Sequence, residues 1–219
     1  VATGTGSGKT EAFLFPILAS LHDEFRRGDL RPGVRALILY PMNALANDQR
    51  ERLGAVCLDM RKASSAFHFT FGQYTGETPE DEHDGRRSAK ERLQNRLPGE
   101  LVLRSEMRQA PPHILLTNYS MLEYLLLRPL DSELFDSGHA QAWGFLVVDE
   151  VHQYRGTRGA EMGMLLRRLK RRLRTGGRTS GFRCIATSAS LAGGHADCAR
   201  AAKFAADLFD EPFAEEDVI

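Results

Sequence analysis

Apolar and polar positions along the chain follow two periods, and the switches between them mark out the elements. From Lys9 to about Arg26, Phe13, Ile17, Leu18 and Leu21 fall on one face at helical spacing, with Pro16 placed to kink the helix. Gly28 and Pro32-Gly33 break that pattern. Val34-Arg35-Ala36-Leu37-Ile38-Leu39-Tyr40 is then an apolar run of strand length, the kind a parallel sheet buries on both faces. Pro41-Met42-Asn43 ends it, and a helix is expected from about Ala44 to Met60. Phe67 to Tyr74 alternates aromatics at strand period and runs into the turn Thr75-Gly76-Glu77-Thr78-Pro79. Residues 80 to 110 carry dense charge of both signs and read as a solvated excursion, with a short helical piece near Ser88 to Arg96 and a stop at Pro111-Pro112.

The second half repeats the alternation. His113 to Thr117 predicts a strand and Tyr119 to Leu127 a helical turn. Gly144 to Val148 predicts a strand ending at Asp149-Glu150, Gly159 to Arg174 a helix, Phe182 to Thr187 a strand, and His195 to Phe209 a last helix. Strands alternating with helices predict an α/β fold: a three-layer, doubly wound parallel sheet with right-handed crossovers. Such sheets bind ligands beyond the carboxyl ends of their strands.

Composition adds bounds. At 219 residues the chain fits one large domain with a substantial core. Basic and acidic residues number 29 each, so bulk charge predicts neither nucleic-acid nor membrane binding. Cys57, Cys184 and Cys198 lie far apart with no C-x-x-C pair, which reads as reduced structural thiols and suits the cytoplasm. No apolar run approaches transmembrane length, and no membrane partner is expected. A strand is expected before the first helix and only Val1-Ala2 remain of one, so the chain is expected to be a domain truncated at its N-terminus.

Candidate chemistry sits at the strand ends. Thr3-Gly4-Thr5-Gly6-Ser7-Gly8-Lys9-Thr10 packs three glycines into five residues and runs through Gly-Lys-Thr into a helical run. Its backbone can curl around an anion at a helix N-terminus, Lys9 adds charge, and the Thr10 hydroxyl can ligate Mg²⁺. This is the tail of the phosphate-binding loop G-x-x-x-x-G-K-[ST], with Thr3 in place of the first Gly. Val147-Val148-Asp149-Glu150 offers two carboxylates past an apolar strand. A phosphate-loop enzyme needs one acid for the metal, suited to Asp149, and one group on the attacking water, suited to Glu150. His152 could bridge this site to a moving element or serve the fold alone. The cluster Arg167, Arg168, Lys170, Arg171, Arg172 and Arg174 reads as the solvated face of a helix whose Met164, Leu165, Leu166, Leu169 and Leu173 pack inward; the other reading is a nucleic-acid footprint.

These residues resemble a known family. Asp149-Glu150-Val151-His152 is a DEVH box, and the chain is similar to the first RecA-like domain of superfamily 2 DEAD/DEAH-box-type helicases. Thr3 to Thr10 resembles motif I, and Pro41 to Gln49 resembles motif Ia, P-T-R-E-L-A-x-Q, with Met42 and Asn43 for Thr and Arg. Gly76-Glu77-Thr78 resembles the G-x-T element, Thr117-Asn118 falls where motif Ib begins, and Ser188-Ala189-Ser190 resembles motif III, S-A-T. Tyr154-Arg155-Gly156 and Thr117 to Tyr124 look most like the bacterial branch of MrfA-like DNA repair helicases, which are ATP-driven and move 3′ to 5′ along DNA.

The resemblance implies a division of labour. ATP would bind at Gly4, Thr5, Gly6, Ser7, Gly8, Lys9 and Thr10, with Mg²⁺ between Thr10 and Asp149 and with Glu150 polarising the attacking water. His152, Ser188 and Ser190 would couple the site to movement. Pro41, Asn43, Gln49, Gly76, Thr78, Thr117 and Asn118 would contact the backbone of one nucleic-acid strand, DNA in preference to RNA, without reading its sequence. The loss of the usual arginine at Asn43 weakens phosphate contact there. A second RecA-like domain in the same full-length chain would supply an arginine finger, and without one turnover falls by roughly three to five orders of magnitude. Two other functions fit the same motifs: a duplex-tracking ATPase motor in a restriction or phage-defence complex, and a nucleotide-gated interaction module that never hydrolyses. Glu150 speaks against the last.

Overall fold

The structure, a computed structural model, describes residues 8–136, 138–188 and 195–219. At its centre lies β1 (Ala36–Tyr40), whose five residues are all buried. Side chains alternate across a strand. Accordingly Leu37 and Leu39 enter one apolar cluster, and Ala36, Ile38 and Tyr40 the other. The same division holds in β4 (Ile114–Asn118) and β5 (Phe145–Val148), which flank β1 and pair with it in parallel. Continuous apolar runs are thus the mark of a sheet covered on both faces.

The covers come from the helical patterns. α1 (Lys9–Arg27) runs unbroken through Pro16 and sends Phe13, Ile17 and Leu21 onto one face beside α2 (Asn43–Lys62), which contributes Ala46, Leu53 and Cys57. The opposite face is closed by α5 (Tyr119–Leu127), α6 (Thr157–Thr175) and α7 (His195–Phe209). Leu165, Leu166, Leu169 and Leu173 of α6 point inward as expected, but Met164 is 64% exposed, because it falls outside the arc that those leucines define. The basic side chains of α6 are tied down locally: Arg167 to Asp210, Arg168 to Glu123, Lys170 to Glu211 and Arg172 to Asp136.

All six strands are parallel, in the order β3-β2-β4-β1-β5-β6, with β2 at Phe71–Gln73, β3 at Glu100–Leu101 and β6 at Arg183–Ala186. The chain leaves β1 toward β2, β3 and β4 on one side, then crosses to β5 and β6 on the other. The crevice at that reversal opens beyond the carboxyl end of β1. This is the predicted three-layer, doubly wound α/β sheet.

Two expectations need correction. The strand expected over Phe67 to Tyr74 joins the sheet only at Phe71–Gln73, although Phe67 and Phe69 still bury on one face. Residues 80 to 110 are no solvated excursion. They supply α3 (Arg87–Gln94), the edge strand β3 and α4 (Arg104–Gln109), and they bury Val102, Leu103 and Met107. Part of their charge is absorbed internally, while Asp81, Glu82, Arg87 and Lys90 stay exposed. Glu100, 2% exposed, accepts from Arg50 Nε at 2.5 Å and Nη2 at 2.7 Å, and so fastens α2 to the edge strand.

Candidate nucleotide site

Five residues of the predicted phosphate loop, Thr3, Gly4, Thr5, Gly6 and Ser7, lie outside the described residues, as does Ser190. The described part begins at Gly8, which caps α1 with φ 80° and ψ 13°, a left-handed conformation that glycine takes without strain. That turn places Lys9 and Thr10 at the helix start, where unpaired backbone N–H groups and the helix dipole favour an anion. Lys9 is only 9% exposed.

The carboxylates arrive from the sheet. Asp149 follows β5 directly, and its N–H still donates to Leu39 O at 2.9 Å. Register explains its neighbour: Val148 pairs with Ala186, so the next residue of each strand, Asp149 and Thr187, lie side by side. The Thr187 hydroxyl donates to Asp149 Oδ1 and accepts the Glu150 N–H at 3.3 Å. Burial pushes the Asp149 carboxyl above its usual range, against the pull of the Thr187 hydroxyl, and the neighbouring Glu150 charge adds to the rise.

Glu150 sits at φ 50°, a left-handed conformation that is costly for a non-glycine residue and recurs at functional sites. The turn brings its carboxylate to Lys9, with Oε1 at 3.9 Å from Nζ. Its Oε2 lies 3.0 Å from His152 Nδ1, within ion-pair reach but without the alignment of a hydrogen bond. The Ser188 hydroxyl lies 3.3 Å from the same His152 nitrogen. Lys9, Asp149, Glu150, His152 and Ser188 therefore form one contiguous group assembled from α1, β5 and the end of β6.

Thr10 follows Lys9 at the start of α1 and has an unexpected partner. Gln49 of α2 donates from Nε2 to Thr10 Oγ1 at 3.1 Å. Among the described residues, Gln49 Oε1, Glu150 Oε2 and the hydroxyls of Tyr40 and Tyr154 are buried without a hydrogen-bond partner. Buried polar atoms are nearly always satisfied, so such oxygens gathered near one carboxylate point to water, an ion or a ligand. Asp149 raises the phenol of Tyr40, and that of Tyr154 to about 12, second in each case to burial. A hydroxyl and a carboxylate are hard oxygen donors of the kind Mg²⁺ takes. No cage of three or more His, Cys, Asp or Glu exists among the described residues. An ion here would complete its shell from phosphate and water, which is how Mg²⁺ is commonly held. The donor set fits.

The residues expected on a nucleic-acid strand divide. Pro41, Asn43 and Asn118 are half-buried at the ends of β1 and β4, where Asn118 Nδ2 donates to Asn43 Oδ1 at 2.8 Å. Gly76 is exposed. Thr78 and Thr117 are fully buried, and this corrects their expected role. The Thr78 hydroxyl donates to Gln73 O at 2.7 Å and accepts the Thr75 N–H at 2.8 Å, while the Thr117 hydroxyl donates to Tyr74 O at 2.6 Å. These hydroxyls shape the turn instead of reaching outward. Gln49 likewise faces Thr10. Sequence reasoning missed Thr187, Tyr40 and Tyr154. Strand register one step past Val148 and Ala186 would have found Thr187; the two tyrosines give no signal before the fold is known.

A model of the DEAD/DEAH box helicase family matches residues 1–197. The chain is 33% identical to Druantia protein DruE of Escherichia coli over 87% of its length, covering 15% of that protein. It is 30% identical to the ATP-dependent helicase YprA of Bacillus subtilis, again over 87% of its length and 20% of the relative. Among solved structures, the DUF1998 helicase MrfA bound to DNA and AMPPNP aligns over 97% of this chain and 24% of its own, with a TM-score of 0.66 and 27% identity. The chain thus spans about a fifth of these relatives.

Proposed function

The chain belongs to the DEAD/DEAH box helicase family, and on that premise we propose that it is the ATP-binding and hydrolysing half of a superfamily 2 helicase that couples hydrolysis to movement along DNA. The observation that carries this reading is the meeting of Lys9 and Glu150, 3.9 Å apart, beside Asp149 and Thr10. Lys9 holds the negative charge of the terminal phosphates at the start of α1. Thr10 and Asp149 hold Mg²⁺, which when bound neutralises charge developing on the phosphate oxygens. Glu150 orients the attacking water and takes its proton. His152 sits between Glu150 and Ser188, so a change at the carboxylate reaches the end of β6 through one imidazole.

DNA is the favoured track because a structural relative at 27% identity was crystallised with it. Pro41, Asn43, Asn118 and Gly76 are the accessible positions for a backbone along the carboxyl edge of the sheet. A second RecA-like domain of the full-length chain supplies the missing arginine, and the isolated domain turns ATP over hardly at all. The intact protein acts in the cytoplasm; among the described residues no helix is long and apolar enough to cross a membrane.

The test is Glu150→Gln in the intact protein. ATP turnover should fall by about 100- to 10,000-fold, the usual worth of a general base, while Mg²⁺-dependent nucleotide binding survives. Undiminished turnover would remove Glu150 from its role. Unwinding of a 3′-tailed duplex by the intact protein supports movement with strand separation. Turnover without unwinding of tailed or blunt duplex would leave the duplex-tracking motor.

A further inference from the structure

Gln49 falls in the stretch that resembles a nucleic-acid contact, yet its carboxamide lies in the nucleotide site. Nε2 donates to Thr10 Oγ1 at 3.1 Å, and Oε1 is buried with no hydrogen-bond partner among the described residues. A threonine hydroxyl has two acceptor positions and one hydrogen. With one acceptor position taken by Gln49, the hydroxyl hydrogen is kept out of it, and the hydrogen and the other lone pair share the two positions that remain. We propose that Gln49 is a positioning residue for the metal-binding hydroxyl of Thr10, so that α2 senses whether metal and nucleotide are in place.

The carboxamide can serve both states of the site. When a cation takes the Thr10 oxygen, that hydroxyl becomes a better donor and a poorer acceptor. A half-turn of the Gln49 carboxamide then presents Oε1, idle in the present arrangement, to receive it. The consequence travels along one helix. Gln49 lies six residues, about 9 Å of axial rise, from Asn43, the first residue of α2. Asn43 is bonded to Asn118 of β4, and Asn47 accepts from Gln73 Nε2 of β2 at 2.8 Å. α2 is therefore anchored to the nucleotide corner by Gln49 and to the nucleic-acid corner by Asn43 and Asn47. Once metal and nucleotide are bound, a turn of the Gln49 carboxamide reaches both corners, and coupling of this kind is reciprocal.

The inference rests on the proposed nucleotide site, and the experiment separates the two. In the intact protein, binding of a fluorescent non-hydrolysable ATP analogue is titrated with Mg²⁺, and single-stranded DNA binding is measured without nucleotide. If the unaltered protein shows no Mg²⁺-dependent binding, the nucleotide reading itself fails. Given that binding, Gln49→Met, which keeps length and removes both polar atoms, should raise the half-saturating Mg²⁺ by about tenfold, the scale of a lost outer partner. Its DNA affinity without nucleotide should be unchanged. A DNA affinity that falls while the Mg²⁺ titration stays put would return Gln49 to the strand and overturn the proposal, as would no change in either. Thr10→Val keeps shape without the hydroxyl, and in that background Gln49→Met should add no further shift. Additive shifts would mean that Gln49 acts elsewhere, and would also overturn it.

Discussion

Around the proposed nucleotide site, Tyr40 at the end of β1, Gln49 of α2, and Glu150 and Tyr154 after β5 each bury an oxygen that no described residue satisfies. Over β2 and β4, a few strands along the same edge, buried oxygens close on protein atoms. Thr78 and Thr117 bond backbone carbonyls, and the Tyr74 hydroxyl donates to Asp131 Oδ1 at 2.5 Å. Arg108 adds a bond to that oxygen at 3.3 Å, and Arg128 stands 3.6 Å from the other. Without a hydrogen bond there are the Nε atoms of Arg92 and Arg104 and Asp131 Oδ2, the last held by the Arg128 ion pair alone. Idle acceptors of this kind cost about 1–3 kcal/mol each, and the proposed cation, water and phosphate would complete those of the first corner. The second completes itself and presents only its outer loop.

The sharpest way to break this contrast is to remove Asp131, which is fully buried. Asp131→Ala strands the Tyr74 hydroxyl and leaves Arg108 and Arg128 to Glu80 alone, and should cost about 3 kcal/mol of unfolding free energy by urea titration. A cost under about 1 kcal/mol would mean that water, not Asp131, satisfies those groups.

The amino edge of the sheet supplies a control in which protonation alone breaks a finished contact. His113 Nδ1 accepts the Thr70 N–H at 2.9 Å, and burial, helped by the nearby Arg35 charge, lowers its pKa from 6.5 to about 4. The unfolded chain takes up this proton near 6.5 and the folded chain only near 4. Stability is therefore full above 6.5 and falls as pH drops toward 4, by up to roughly 3 kcal/mol. His113→Gln should remove that part of the pH dependence. Superimposable profiles for the two proteins would show that His113 takes up its proton at the same pH in both states.

At the nucleotide corner the sign reverses. Burial pushes the Asp149 carboxyl up, so its ionisation at neutral pH weakens the fold. Asp149→Asn keeps an acceptor for Thr187 and should gain about 1 kcal/mol while abolishing Mg²⁺-dependent nucleotide binding. A loss of stability instead would place Asp149 among the self-completed groups.

How far these corners were legible in the sequence follows the same line. Ala36 to Tyr40 and Phe145 to Val148 announced buried parallel strands because nothing polar interrupts them, and Lys9, Thr10, Asp149 and Glu150 announced themselves as types that phosphate chemistry needs at strand ends. Residues 80 to 110 misled because a charge counted along the chain carries no sign of its partner: Glu100 meets Arg50, fifty residues away. Thr78 and Thr117 misled for the converse reason. A short hydroxyl beside a glycine turn reads as exposed, and only the close approach of β2 and β4 turns it inward. Gln49 carries a nucleic-acid role in the motif it resembles, but its target depends on how α2 crosses α1, which periodicity does not encode.

Gly76 offers the finest discrimination, because there the two requirements part. It is exposed, a Cβ built on it meets nothing within 4 Å, and its backbone lies outside the region that demands glycine. Its carbonyl accepts from Arg86 Nη1 at 3.3 Å, a contact that a methyl group leaves intact. Nothing in the fold therefore requires glycine at this place. Gly76→Ala should leave the protein as stable or more so, by about 0.4–1 kcal/mol, since alanine restricts the unfolded chain. If a DNA backbone approaches this turn closely, the added methyl should still lower affinity for single-stranded DNA, measured by fluorescence anisotropy on the intact protein. Unchanged affinity with raised stability would leave Gly76 a spectator and move the strand toward Asn43 and Asn118. Lost stability would show instead that the outer loop, like Thr78 beneath it, is part of the finished scaffold.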